Sequence, residues 1–143
     1  MKNILVATDA DWVFDEVDNA LADEDTEVYR VRNGRDVLPA CHKVSPKLVV
    51  LDLQIGNAGG VAVSLQLRQE QDMGRLGPLG ILMLLDRQAD VFLAQMARAD
   101  GWLVKPLDAI RLMKAARAIA SGGTYQEGML DERGEPVGGD AVY

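Results

Sequence analysis

The sequence predicts an α/β protein whose parallel β-sheet is covered by helices on both faces. Short apolar runs alternate along the chain with longer segments that carry one apolar face, and this alternation occurs five times. The apolar runs are rich in β-branched residues and have few polar interruptions, which is typical of strands buried on both sides. A length of 143 residues and a hydrophobic fraction of 48% suit one domain with an ordinary core.

The first half of the chain supplies three of these strands. The first helix is predicted from the four-residue spacing of Val13, Val17 and Leu21, with Asp11 placed to cap its first turn. A short alternating strand follows. The second helix comes after a turn at residues 33–34, and Pro39 is acceptable only near its first turn. The third strand is a continuous apolar run. The predicted strands are 3–7, 27–31 and 48–51, and the predicted helices are 12–22 and 35–43.

The second half repeats the pattern twice more. A helix precedes a glycine-rich connection at residues 73–80, and the fourth strand follows it. The last helix places Ala109, Leu112, Ala116 and Ile119 on one side. The predicted helices are 61–71, 89–98 and 108–120, and the predicted strands are 81–85 and 102–104. From Gly122 onward, glycines and acidic residues predict a disordered tail over 122–143, so that the folded domain covers residues 1–121.

Composition excludes several classes of function. A formal net charge of −7 argues against a duplex-DNA footprint, which needs a basic face. The single cysteine, Cys41, cannot form an internal disulfide, and neither a signal peptide nor a membrane-length apolar run is evident. We therefore expect a cytoplasmic protein. His42, the only histidine, has no further sequence neighbours of the kind that bind metals beside Cys41, which argues against a catalytic or ligand role.

Three polar residues each follow an apolar run that predicts a strand. Asp9 comes after the first strand, Asp52 directly after the third, and Lys105 directly after the fifth. Open α/β sheets bind their ligands at the carboxyl ends of the strands, so these side chains are expected to meet in one pocket. Asp52 alone would be interpreted as a strand-end carboxylate that caps a turn, and Lys105 alone as a solvated surface lysine. The combination of two acids and one base favours a functional pocket.

These residues carry a resemblance to a known family. The segment 46–53, Gly60 and the pair Lys105-Pro106 resemble the phosphoacceptor segment, the loop glycine and the Lys-Pro pair of bacterial response-regulator receiver domains. The resemblance covers residues 2–121 and is closest to stand-alone, CheY-like receivers of an atypical kind. It implies a flavodoxin-like (βα)5 three-layer sandwich whose strand order is 2-1-3-4-5, with Asp9 and Asp52 on neighbouring strands.

The resemblance also implies roles for individual residues. Asp52 would accept a phosphoryl group from a histidine kinase or phosphotransfer protein. Asp9, Asp52 and the backbone carbonyl of Gln54 would bind Mg²⁺, a cation that prefers oxygen ligands. Lys105 would clamp the phosphoryl oxygens, and the bond before Pro106 would be cis.

The chain departs from the family pattern at four positions. Thr8 stands where the first of two adjacent acids is usual, so Mg²⁺ binding is expected to be weak. Leu85 replaces the hydroxyl residue at the end of strand 4, and Trp102 replaces the smaller aromatic of strand 5. These are the two switch positions, whose movements are coupled in the family, and we expect that coupling to be disabled. Asp86 replaces a small residue and is interpreted as an exposed helix-capping acid.

Three functions are compatible with these features. The first is a single-domain response regulator of a phosphorelay, phosphorylated at Asp52 and signalling by protein–protein contact. The second is a pseudo-receiver that works without phosphorylation as an interaction or dimerisation module, which Thr8 and Leu85 favour. The third, a small enzyme or nucleotide-binding protein, lacks a glycine-rich phosphate loop after the first strand. The downstream partner is not identified, and a homodimer is one option. A contact surface is predicted on helix 4, strand 5 and helix 5, near Phe92, Trp102 and Leu107.

Overall fold

The computed structural model describes residues 2–56 and 59–127, together with the backbone of 129–130 and 136–137. The main sheet is parallel, and its strand order is β2-β1-β3-β4-β5-β6. The predicted order 2-1-3-4-5 is therefore confirmed, and one further strand extends it. The first five strands are β1 (Lys2–Ala7), β2 (Thr26–Val31), β3 (Leu48–Asp52), β4 (Gly80–Leu85) and β5 (Gly101–Val104).

The described residues include five α-helices, one after each of these strands. A single turn of 3₁₀ helix precedes the second and the fourth of them, at Gly34–Asp36 and Gln88–Asp90. The fourth helix is shorter than the predicted 89–98, because its first turn is 3₁₀ and Arg98 already has a positive φ of 59°. No helix in the described part of the chain is long and apolar enough to cross a bilayer. The helices are α1 (Asp11–Leu21), α2 (Val37–Val44), α3 (Gly59–Asp72), α4 (Val91–Met96) and α5 (Ala109–Ala120).

Side chains that alternate along the buried strands form two cores, one on each face of the sheet. On β3, Val49 and Leu51 face the core built with α2, α3 and α4, whereas Leu48 and Val50 face the core built with α1 and α5. Because successive side chains of a strand point to opposite faces, a continuous apolar run can fill both cores. The result is the three-layer arrangement that the sequence predicts, with the strand carboxyl ends left open at one edge.

The expected disorder from residue 122 onward does not hold for the first part of that segment. A sixth strand, β6 (Tyr125–Gln126), pairs in parallel with β5, and Tyr125 is buried. Two further strands, β7 (Met129–Leu130) and β8 (Pro136–Val137), form a separate antiparallel pair. The buried ring of Tyr125 anchors β6 within glycine-rich surroundings. The remaining tail positions, including 131–135 and 138–143, lie outside the described residues.

Asp11 does not cap α1 as predicted. It is the first residue of that helix, and the capping position belongs to Ala10, which makes no side-chain capping bond. The Asp11 carboxylate instead accepts hydrogen bonds from Arg30 at 2.8 Å and from Arg32 at 3.0 Å. The hydrogen bond from Arg30, followed by the one from Arg32, lowers the pKa of the Asp11 carboxyl. The two arginines lie on or beside β2, so their approach to Asp11 depends on the tertiary fold.

Gly60 brings α3 into close contact with the end of β3. A Cβ atom at this position would lie 2.8 Å from the Cα of Leu53 and 3.0 Å from the carbonyl oxygen of Asp52. We expect Gly60→Ala to lower the free energy of unfolding by about 1–3 kcal/mol, because backbone atoms would have to move. Urea denaturation measures this change. Gly77→Ala is the control, since a Cβ there meets nothing within 4 Å; equal stability of the two variants would contradict the prediction.

Candidate functional site

Asp52 is the centre of a polar cluster at the carboxyl edge of the sheet. It is the last residue of β3, and only 2% of it is exposed. Its Oδ1 accepts hydrogen bonds from Lys105 Nζ at 3.0 Å and from the backbone N–H of Gln54 at 3.2 Å. Its Oδ2 accepts one from the Thr8 hydroxyl at 2.8 Å. Both carboxylate oxygens therefore have donors, which is how a protein tolerates a buried carboxylate.

Thr8 joins the ends of β1 and β3. Its side chain is buried, donates to Asp52 and accepts a hydrogen bond from the backbone N–H of Ala10 at 3.1 Å. A carboxylate at this position would bring a negative charge against Asp52. The hydroxyl supplies a hydrogen atom there instead. The pocket therefore holds one anion fewer than the two-acid pattern would give it.

Lys105 follows β5 and reaches two carboxylates. Its Nζ lies 3.0 Å from Asp52 Oδ1 and 3.0 Å from Asp86 Oδ1, and 5.7 Å from the centre of the Trp12 ring. Burial disfavours the charged form of Lys105, but the hydrogen bonds to Asp86 and Asp52 outweigh it and raise the pKa of the ammonium group. The lysine therefore stays cationic at neutral pH. The peptide bond from Lys105 to Pro106 is cis.

Asp86 differs from its sequence-based interpretation. Asp86 is exposed, as the sequence predicts, but it does not cap a helix, because the position that caps the following 3₁₀ turn is Arg87, which makes no side-chain capping bond. The Asp86 carboxylate pairs with Lys105 instead. The two residues follow neighbouring strands, β4 and β5, and this places the Lys105 ammonium group within reach of the exposed Asp86 carboxylate. Asp86 is therefore part of the cluster that contains Asp52.

Asp9 lies at the same edge of the sheet, immediately after Thr8. Its side chain is exposed, and its Oδ2 would lie 3.6 Å from a Cβ atom built on Gly56, so it faces the loop that follows β3. Within residues 2–56 and 59–127, no group of three or more His, Cys, Asp and Glu side chains is arranged to hold a metal ion. Asp9 and Asp52 are the two aspartates that the sequence analysis predicts as metal ligands.

The two switch positions are both closed inside the same core. Leu85 is fully buried, and only 2% of Trp102 is exposed, so Trp102 cannot supply surface contact area as the sequence analysis expected. The indole N–H of Trp102 donates to the backbone carbonyl of Glu127 at 2.6 Å. Sequence reasoning missed Glu127, because nothing in its neighbourhood marks it apart from the acidic residues around it.

Cys41 and His42 do not belong to the polar cluster. Cys41 is buried under α2, and burial raises the pKa of its thiol to about 12, so it is not a thiolate nucleophile at neutral pH. His42 is an exposed residue of the same helix. Neither residue offers an alternative centre of chemistry.

The fold and the carboxyl-edge cluster agree with the comparison to known families. The sequence model of the response regulator receiver domain matches residues 4–117. The chain therefore belongs to the response regulator receiver domain family of two-component systems. Receiver domains are signalling modules, and they generally bind Mg²⁺ at their phosphorylation site.

Relatives and solved structures show the same likeness. The chain is 28% identical over 118 residues to the nitrate/nitrite response regulator protein NarL of Escherichia coli, covering 82% of this chain and 51% of that protein. It is 23% identical over 122 residues to Protein PilH of Pseudomonas aeruginosa, covering 85% and 100%. The receiver domain of NtrX from Brucella abortus superposes with a TM-score of 0.72 at 25% identity, covering 84% and 99%. The chain spans about half the length of NarL, the first of these relatives.

Proposed function

We propose that this chain accepts a phosphoryl group at Asp52 and acts as a response-regulator receiver domain in a phosphorelay. The observation that carries the proposal is the 3.0 Å contact between Lys105 Nζ and Asp52 Oδ1, made by a buried aspartate at the open edge of the sheet. A histidine kinase or a phosphotransfer protein is the proposed donor. The consequences are passed on through contacts with another protein. In this reading the chain is a signalling module and not a classical enzyme.

The proposed reaction is the attack of one Asp52 carboxylate oxygen on the phosphorus atom of a phosphohistidine. An O–P bond forms, the N–P bond breaks, and its electron pair stays on the imidazole, which takes up a proton. The positive charge of Lys105 lies beside Oδ1, where its ammonium group can form hydrogen bonds with the phosphoryl oxygens during the transfer. The backbone N–H of Gln54 keeps the carboxylate oriented.

The residues present can bind a magnesium ion, but they supply few charged ligands. Asp9 and Asp52 supply carboxylate oxygens and Gln54 a backbone carbonyl, and these are the oxygen ligands that Mg²⁺ prefers. The Thr8 hydroxyl, which donates to Asp52 Oδ2, occupies the place of a third carboxylate. When bound, Mg²⁺ neutralises the repulsion between the attacking carboxylate and the phosphoryl group. We propose weak binding because the site has lost one anionic group.

Phosphorylation can be tested with acetyl phosphate and Mg²⁺, followed by mass spectrometry of the intact protein. The wild type is expected to gain one phosphoryl group, which Asp52→Asn does not gain because an amide is not a nucleophile for this transfer. Asp86→Asn is the matched control, since it removes a carboxylate that also pairs with Lys105 but leaves Asp52 in place. A wild type that stays unmodified after prolonged incubation would refute the proposal.

The second candidate is a pseudo-receiver that works without phosphorylation. It would act as an interaction or dimerisation module. Two observations favour it. Asp86 already engages Lys105, and Thr8 already engages Asp52 Oδ2, so the polar groups of the pocket already pair with one another. In that case partner binding would be the same in wild type and Asp52→Asn, and acetyl phosphate would not change it.

The role of Thr8 predicts the direction of a change in metal affinity. Thr8→Asp adds a negative charge beside Asp52 and is expected to tighten Mg²⁺ binding by about tenfold or more, because affinity follows the number of charged ligands. Thr8→Val is the control of similar size that adds no charge. Isothermal titration measures both. If the wild type binds Mg²⁺ as tightly as Thr8→Asp, the hydroxyl does not weaken the site.

We propose that the signal to the partner protein does not depend on a coupled movement of the two switch positions, Leu85 and Trp102. Leu85 has no hydroxyl to bond a phosphoryl group, and the Trp102 indole is held by the carbonyl of Glu127. We propose that signalling uses the surface of α4 and α5, where Phe92 is 55% exposed and Ile110 is 68% exposed. Leu107 lies half-buried between them in sequence. This surface keeps the position predicted from the sequence, but Trp102 is no longer part of it.

A further inference from the structure

Residues 125–127 occupy the outer edge of β5 as an extended segment, called here the edge segment. Tyr125 and Gln126 pair with Gly101 and Trp102, and the backbone N–H of Tyr125 donates to the carbonyl of Asp100 at 3.1 Å. The pairing then changes from backbone to side chain. The carboxylate of Glu127 accepts a hydrogen bond from the backbone N–H of Val104 at 3.0 Å, so that one side chain extends the edge pairing by one more residue.

Three donors meet at Glu127. The indole of Trp102 donates to its carbonyl oxygen at 2.6 Å, and the N–H of Val104 donates to its carboxylate. The guanidinium of Arg111 forms an ion pair with the same carboxylate, donating from Nε to Oε2 at 2.8 Å and from a terminal nitrogen to Oε1. The Glu127 carboxylate thus accepts a bidentate pair of hydrogen bonds from an arginine and one hydrogen bond from a backbone N–H. Such a site selects a carboxylate by geometry as well as by charge.

The arginine is held in place by contacts that do not involve the edge segment. Arg111 also donates to the carbonyl of Pro106 at 2.8 Å, to the carbonyl of Val104 at 2.9 Å and to the carboxylate of Asp108 at 3.1 Å. Its guanidinium is therefore positioned by β5 and by the start of α5. A preorganised cation of this kind binds an arriving carboxylate at a lower entropic cost than a mobile side chain does.

Room for the peptide backbone comes from Gly101. A Cβ atom on this residue would lie 2.6 Å from the carbonyl oxygen of Tyr125 and 3.1 Å from its Cβ. The ring of Tyr125 is buried at 4% exposure in the core formed with Leu103, Leu112 and Ile119. The edge of β5 thus offers an apolar place for an aromatic ring, followed two residues later by a place for a carboxylate.

We propose that the edge of β5 is a docking site for an extended segment of a partner protein, and that the chain's own edge segment blocks it. The partner segment carries an aromatic residue two positions before a glutamate or aspartate, as Tyr125 and Glu127 do. Strand addition supplies the backbone hydrogen bonds, and the two pockets supply the specificity. Residues 121–124, which join α5 to the edge segment, include two exposed glycines, Gly122 and Gly123, and Gly122 has φ +91°. This proposal does not depend on phosphorylation of Asp52.

The test uses the full chain with the edge segment weakened by Tyr125→Ala and Glu127→Ala together. The probe is a synthetic peptide with the sequence of residues 122–130, and isothermal titration measures its binding. We expect the double variant to bind the peptide at least about tenfold more tightly than the wild type, because the resident segment no longer competes. The same peptide with glutamine in place of Glu127 is expected to bind about tenfold less tightly, since a charge-assisted contact is lost.

The control variant is Tyr29→Ala with Glu27→Ala. It removes the same two residue types, both exposed, from β2 at the opposite edge of the sheet. Its affinity for the peptide should equal that of the wild type. A double variant at residues 125 and 127 that stays folded and does not bind the peptide overturns the proposal. Equal binding of the glutamate and glutamine peptides overturns the assigned role of Arg111.

Hydrogen exchange gives an independent measurement if the double variant does not fold. Glu127→Gln alone keeps Tyr125 in place and is expected to speed exchange of the Val104 amide about tenfold, since its charged acceptor is lost. The indole N–H of Trp12, which is 51% exposed, serves as a reference signal within the same spectrum. Unchanged exchange at Val104 would show that the Glu127 carboxylate does not hold the edge segment, and the proposal would fail.

Discussion

Lys105→Ala is expected to slow phosphorylation of Asp52 by acetyl phosphate about 10²–10³-fold, the usual effect of removing one donor that stabilises developing charge. The expectation rests on the proposed role of Asp52 as acceptor. Lys105 Nζ lies 3.0 Å from Asp52 Oδ1, so the substitution removes the positive charge that stands beside the attacking carboxylate. The measurement is the fraction of phosphorylated protein against time, followed by mass spectrometry of the intact chain.

Asp86→Asn is the matched control for that experiment. It removes the other carboxylate that pairs with Lys105 and leaves the lysine free to follow the phosphoryl oxygens, so we expect its rate to equal or exceed that of the wild type. If Lys105→Ala reacts as fast as the wild type, Lys105 is only a counter-ion for two aspartates. If Asp86→Asn is slowed as strongly as Lys105→Ala, the lysine acts only when both carboxylates hold it.

Trp102→Ala is expected to lower the free energy of unfolding by about 3–5 kcal/mol, as is typical when a buried tryptophan is truncated. Trp102 is the largest side chain that is fully buried, and it packs in the core beneath α3 and α4 together with Leu85. Its indole also satisfies the carbonyl of Glu127. Urea denaturation followed by circular dichroism measures the loss, since the remaining tryptophan is not a clean fluorescent reporter of this core.

Trp12→Ala is the control, because half of the Trp12 side chain is exposed and substitutions at such positions usually change stability by no more than about 0.5 kcal/mol. A loss at Trp102 that is no larger than the loss at Trp12 would mean that the ring is not closed inside the core. Such a result would also reopen the question of whether Trp102 changes position when Asp52 is modified.

The fold could be predicted from the sequence because its signals are periodic. Strand β3 is a continuous apolar run, and α1 carries apolar residues every four positions, so both element type and buried face follow from the pattern. The approach of Lys105 to Asp52 could also be predicted, because both residues follow buried strands and the strands of a parallel sheet end at one edge.

The rest of the site depends on distances that no local pattern encodes. Asp11 was expected to cap a helix and Asp86 to cap another, yet each one pairs with a cation from a different part of the chain. The sequence around an aspartate at the start of a helix is the same whether the aspartate caps the helix or pairs with a distant cation. Strand β6 was missed for a similar reason, since a strand of two residues is too short to show alternation.

The same strand bears on how the protein behaves at high concentration. A sheet edge that is open to water presents unpaired backbone groups, and these can join the edge of another molecule. Along β5 the groups are already used, first by Tyr125 and Gln126 and then by the carboxylate of Glu127. The opposite edge, β2, carries the exposed charged side chain of Glu27, which opposes edge-to-edge pairing with another molecule. Cleavage by a protease between α5 and β6 would therefore expose the apolar strand β5 and make the remaining fragment prone to aggregate.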